Sequence, residues 1–182
     1  NGWELCKVLR LARKANSALL EWIHSSILYC SAEPWFGRFS ALVQSAFSPR
    51  ACFASYRSAA HNNLRHYLRG ETVWTKKYLY VLRPVLGCLW IERGFGPVPM
   101  RLDDLVARTI EEPDLLTAIE ALVARKKAGA ELDEGPRIPE ISGFLERELA
   151  RLNAVEMPSE NAPDAAAMDE FLRAILLENG RR

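Results

Sequence analysis

The sequence predicts a mainly α-helical protein, and three observations carry that prediction. From Ser48 onward, apolar residues recur three and four positions apart, the spacing of one helix face. Helix punctuation falls at matching places: Ser48-Pro49, Pro113 and Pro139 stand at segment starts, and Gly70, Gly94, Gly129 and Gly180 stand at segment ends. β-branched and aromatic residues crowd together in a short run only near the start, so any β structure is expected there.

The elements follow in order. Residues 3–14 read as a helix, with Leu5, Val8, Leu9 and Ala12 on one stripe and Lys7, Arg10 and Lys14 on the other face. Asn16 and Ser17 break it. The run "ALLEWIHSSILY" fits either a strand or a turn into a short helix. Pro34 and Gly37 punctuate, and a short apolar helix is expected through Phe47. Ser48 as N-cap and Pro49 at the first helical position open a helix to about Leu68. Thr75 is the expected cap of the next helix, which ends near Gly94. Within it Pro84 cannot donate to the carbonyl of Tyr80, so this helix kinks or restarts there. "GFGPVPM" is a rigid connector. Helices are then expected over 103–110, 113–127 and 139–153, the last with Ile141, Phe144, Leu145, Leu149 and Leu152 inward. A linker near 156–163 precedes an amphipathic helix from Asp164 to Asn179.

Composition narrows the function classes. Nearly half of the 182 residues are apolar (49%) and the formal net charge is +1, so the chain folds and carries no global attraction for nucleic acid or membrane. The greasiest run, Leu79 to Ile91, is cut by Arg83 and Pro84 and is too short to span a bilayer. The cysteines, Cys6, Cys30, Cys52 and Cys88, form no CxxC pair, and His24, His61 and His66 do not flank one. Reduced core thiols are therefore expected rather than a zinc site or disulfide framework, and with no signal peptide the cytoplasm is the expected location. Phosphate-loop, dinucleotide, nucleophile-elbow and zinc-protease signatures are all missing. Asp103-Asp104 is adjacent rather than alternating and suits a helix N-terminus.

One segment stands out in charge. Between Ser48 and Arg83 the bases Arg50, Arg57, Arg65, Arg69, Lys76, Lys77 and Arg83 face Glu71 alone, with Tyr56, Tyr67, Tyr78 and Tyr80 interleaved. Helical spacing puts Lys76, Tyr80 and Arg83 on one side, with Lys77 at its edge. On the preceding helix Arg50, Arg57 and His61 share a face. A short connection favours antiparallel packing, so the two polar faces are expected to border one groove suited to a polyphosphate. The competing reading is a solvated basic face with tyrosines serving the core. Glu21, the single acid in the early apolar run, is either a functional carboxylate or the exposed side of a strand.

The stretches "NGWELCKVLRLARKANSALLEWIHSSILY", "FSPRACFASYRSAAHNNLRHYL" and "KKYLYVLRPVLGCLWIERG", in this order, resemble a family of bacterial predicted nucleotidyltransferases of the DNA polymerase β superfamily, in its RNA-repair-associated branch. The resemblance implies a helical domain preceded by a remnant of an α/β palm. Residues 1–47 would be that remnant, 48–130 the nucleotide-facing helices, and 131–182 the carboxy-terminal helices. It implies transfer of a nucleoside monophosphate from a nucleoside triphosphate to a hydroxyl acceptor such as an RNA end, with Mg²⁺ held by palm carboxylates. The family's Gly-Ser loop and alternating aspartates do not occur here. The expectation is therefore a truncated sequence, or a catalytic half on a separate chain, inactive by itself, with Glu21 a poor substitute for the third carboxylate. Lys77 or Lys76 would reach the triphosphate and Tyr80 would lie near the base or sugar. Arg83 would share their side, and Arg57 and His61 would face them. The alternative is a non-catalytic helical module that binds RNA or a partner protein through the same basic face.

Overall fold

The structure, a computed structural model, describes residues 2–25, 27–128, 134–159 and 165–179. It is mainly helical, and the chain folds as two compact units. The stop signals Gly129 and Gly180, the 130/131 boundary and half of the expected linker lie outside the described residues.

The first unit gathers residues 1–52, 97–100 and 158–182. It contains α1 (Leu5–Arg13), α2 (Ser17–Ile23), α3 (Trp35–Ser45) and, from the far end of the chain, α9 (Ala165–Asn179). The run left open between strand and helix is helical. Asn16 Oδ1 accepts the N–H of Leu19 at 3.0 Å and so caps α2. Leu19 and Leu20, adjacent on the helix, both point inward. α9 lies against α1 and α3, where Phe171 meets the Trp35 ring edge-on and the Phe39 ring at a tilt. The expectation that β structure sits near the start is corrected: residues 2–47, where described, hold helices alone, and the strands lie elsewhere.

The second unit gathers residues 53–96 and 101–157. The helix α4 (Pro49–Tyr67) begins in the first unit and continues here. There follow β1 (Thr72–Trp74), a 3-10 turn (Thr75–Lys77), α5 (Tyr78–Glu92), α6 (Leu102–Thr109), α7 (Pro113–Lys127), β2 (Glu134–Pro136) and α8 (Pro139–Leu152). α5 is the central helix. Eleven of its residues are buried, all round the helix, and it packs on both α6 and α8. The two strands pair antiparallel, with Val73 opposite Gly135.

α4 and α5 are antiparallel, as the short connection between them favours. The Cys88 thiol points at the Phe53 carbonyl, Gly87 lies under Tyr56, and Asn63 reaches Tyr80, so contacts run in opposite directions along the two helices. Gly87 is there because of that approach: a Cβ would sit 3.2 Å from atoms of the Tyr56 ring. Pro84 neither ends α5 nor splits it. The Tyr80 carbonyl that Pro84 leaves without a donor accepts instead from Asn63 Nδ2 at 2.9 Å.

All four thiols are free, two exposed and two buried. Burial above all pushes the Cys88 thiol up to about 12, which keeps it protonated and inert. An alkylating reagent near pH 8 is therefore expected to modify Cys6 and Cys30 in the native chain, and Cys52 and Cys88 only in denaturant. Rapid native labelling of Cys88, read by mass spectrometry, would contradict this burial.

Candidate functional site

The site lies in the second unit, where the end of α4, the ribbon and the start of α5 meet. Strand alternation buries Val73 and turns Trp74 outward, leaving it 40% exposed. Thr75 is buried again and opens the 3-10 turn. The two lysines of that turn diverge. Lys76 folds back so that its Nζ lies 4.9 Å from the centre of the Trp74 ring. Lys77 Nζ lies between two tyrosines, 4.3 Å from the centre of Tyr67 and 4.6 Å from that of Tyr80. Each contact contributes about 0.5–1 kcal/mol at such exposed positions. Their geometric effect matters more, because the rings hold the ammonium groups in place. Among the described residues no carboxylate forms an ion pair with either lysine, so both charges remain available to an anion.

Tyr80 is 56% exposed, and its backbone is tied to α4 through Asn63. Tyr78 differs although it stands only two residues away. It is fully buried, its hydroxyl lies 2.6 Å from Ser142 Oγ, and it accepts the N–H of Ile138 at 2.9 Å. Tyr56 is also buried. Of the interleaved tyrosines, Tyr67 and Tyr80 therefore serve the surface, and Tyr56 and Tyr78 serve the core.

The other expected residues are distributed around this centre. Arg83 follows one turn after Tyr80 on α5, half-buried and engaged within the protein. Arg57 and His61 turn toward the end of α8. Arg57 Nη1 donates to the carbonyls of Leu152 at 3.1 Å and Val155 at 3.4 Å, with its guanidinium over Phe53. His61 Nε2 meets Asn153 Oδ1 at 2.7 Å. Beside His61, a shallow groove of about 240 Å³ is lined by Asn62, Leu64, Arg65 and Arg69. At 3.6 residues per turn, Arg65 falls on a different face of α4 from Tyr67, and Arg69 lies beyond the end of that helix. The structure thus brings Lys77 to Tyr80, turns Lys76 to Trp74 instead, and engages Arg57 and His61 with the residues at and just beyond the end of α8.

Two features were not foreseen. One is Trp74, whose signal was the alternation of Val73 and Trp74 before the lysines. The other is a charged cleft of about 330 Å³ among Glu92, Arg93, Glu111, Glu112, Glu148 and Arg151. There Arg151 grips Glu92 through two 2.6 Å hydrogen bonds and also reaches Glu148. These bonds, the Glu92 ones first, push its pKa further up. Charges matched in this way brace α5 against α8 and leave little for a ligand.

Among the described residues no group of three or more His, Cys, Asp or Glu stands where it would hold a metal ion. The described residues thus do not fit the Mg²⁺ that a polymerase-type reaction uses, and no metal step is assigned to them. Nor is any described helix long and apolar enough to cross a membrane.

No solved structure matches the chain. It is similar to the uncharacterized protein YcgL of Bacillus subtilis (strain 168), with 40% identity over 177 residues, covering 97% of this chain and 67% of that relative. A family model described as RlaP, RNA repair pathway DNA polymerase beta family, matches residues 1–174, and the chain belongs to that family.

Proposed function

We propose that this chain serves nucleotidyl transfer, the movement of a nucleoside monophosphate from a nucleoside triphosphate to a hydroxyl acceptor such as an RNA end. The observation that carries the reading is Lys77, held between Tyr67 and Tyr80 with no acid paired to it among the described residues. An ammonium in that position meets a triphosphate, and an exposed phenol ring beside it offers a face to a base or sugar. Lys76 adds a second positive charge one residue away, and Arg83 lies on the same side. Arg57 and His61 enter by holding the end of α8 beside α4. The Mg²⁺ of the reaction is assigned to carboxylates outside the described residues. Family membership supports the class of reaction.

The test is calorimetry with ATP, CTP, GTP and UTP in Mg²⁺. Lys77→Ala is expected to weaken binding of the preferred nucleotide by about ten-fold, roughly 1.4 kcal/mol, while the chain stays folded, its melting temperature lowered by no more than a few degrees as the two ring contacts are lost. Unaltered affinity in that variant would remove Lys77, and with it the reading of this face as the nucleotide side.

A further inference from the structure

Trp74 is not explained by a clamp on one nucleotide. It belongs to a second pair of ring and cation, next to the first. Trp74 carries Lys76, and Tyr80 carries Lys77. Both rings are well exposed, and the two lysines are consecutive in the chain. A single exposed aromatic is ordinary on a protein surface. Two exposed rings, each with an ammonium beside it and no acid paired to either lysine among the described residues, call for a particular ligand. It must present flat faces and negative charge in alternation.

That description fits unpaired nucleotides joined by phosphates. A free phosphate or an acidic peptide would use the lysines and leave the rings idle. A nucleic-acid duplex hides its base faces by stacking them on one another. An apolar protein partner would have to bury both ammonium groups, at several kcal/mol apiece. Glu134 stands opposite Trp74 in the ribbon and is exposed, so one carboxylate borders the face, outnumbered by the two lysines.

We propose that Trp74 and Lys76 form a second nucleotide platform beside the Tyr67–Lys77–Tyr80 clamp, and that the combined face holds single-stranded nucleic acid. Trp74 stacks on one base, Tyr80 on its neighbour, and the two lysines meet the phosphates. The proposal rests on the reading of the Lys77 clamp as a nucleotide site, and it names the acceptor of that reaction as a single strand.

The experiment measures the intact chain by anisotropy with a labelled short oligouridylate, single-stranded or annealed to its complement, and by calorimetry with Mg²⁺ and ATP. Trp74→Ala is expected to weaken single-strand binding by roughly five- to hundred-fold and to leave ATP affinity unchanged. Trp74→Phe, which keeps a stacking face, should restore most of the loss. Lys77→Ala should weaken both ligands. Single-strand affinity unchanged in Trp74→Ala, with ATP binding still lost in Lys77→Ala, overturns the platform and spares the clamp. Sensitivity to Trp74 with ATP binding indifferent to Lys77→Ala supports the platform and removes the clamp. Equal affinity for single strand and duplex, or no binding of the single strand, overturns the proposal.

Discussion

Tyr78→Ala is expected to cost about 3–5 kcal/mol of stability, whereas Tyr80→Ala, two residues further on, stays within about 1 kcal/mol. The difference comes from what each ring does. Tyr78 is wholly enclosed, so its removal loses the burial of a large side chain and leaves a cavity in the unit's central helix. Its hydroxyl also has structural work. Ile138 precedes α8 and provides no side-chain cap, and its N–H is taken by Tyr78. Ser142, on the first turns of α8, shares the same hydroxyl and receives Arg137 Nε at 3.3 Å. Tyr78 thus anchors the start of α8 to α5. Tyr78→Phe isolates this anchor: it keeps the ring and should cost about 1–3 kcal/mol, the loss expected when a buried donor is left unpaired. Denaturant unfolding with an unchanged slope would measure both values. A cost below about 0.5 kcal/mol for Tyr78→Phe would mean that water replaces the hydroxyl and that α8 needs no such anchor. For Tyr80→Ala the measurement that should move is nucleotide binding.

Half of the division between these tyrosines was legible in the sequence. Lys76, Tyr80 and Arg83 follow one line by helical spacing, whereas Tyr78 stood only as one of four tyrosines interleaved with the bases, and its burial comes from the packing around α5. The helices α4 and α7 were legible for a similar reason, since Pro49 and Pro113 are local signals that need no distant partner. Long-range effects were not legible. β1 and β2 have three residues each and exist because segments some sixty positions apart pair, which no local pattern reports. The consequence of Pro84 was half legible. The orphaned Tyr80 carbonyl follows from the chemistry of proline, but its rescue by Asn63 depends on how α4 lies against α5. With that carbonyl satisfied, the helix has no need to restart.

Arg57 shows the same limit within the candidate site, and it leads to a second large effect. Helical spacing puts Arg57 and His61 on one face of α4, and charge alone suggested a phosphate for them. What they meet is the end of α8, where the last carbonyls of a helix have no partner inside it. Arg57 supplies one nitrogen to the carbonyl of Leu152, the last residue of α8, and to that of Val155 just beyond it, and its positive charge suits the negative end of the helix. Its flat guanidinium lies over Phe53, which fixes the fork. Arg57→Ala is therefore expected to cost about 1.5–3 kcal/mol, the range for hydrogen bonds to a charged group. Arg57→Lys should recover only part of this, because a point charge cannot reproduce the stacked plane. Well below the melting temperature, both variants should bind nucleotide as the parent chain does, since the arginine acts on α8 and not on the ligand. The opposite pattern, full stability with affinity lost in Arg57→Ala, would return Arg57 to the nucleotide-facing set beside Lys77. Either result separates a cation that holds the helices together from one kept for the ligand, a distinction that the spacing of basic residues along α4 cannot make.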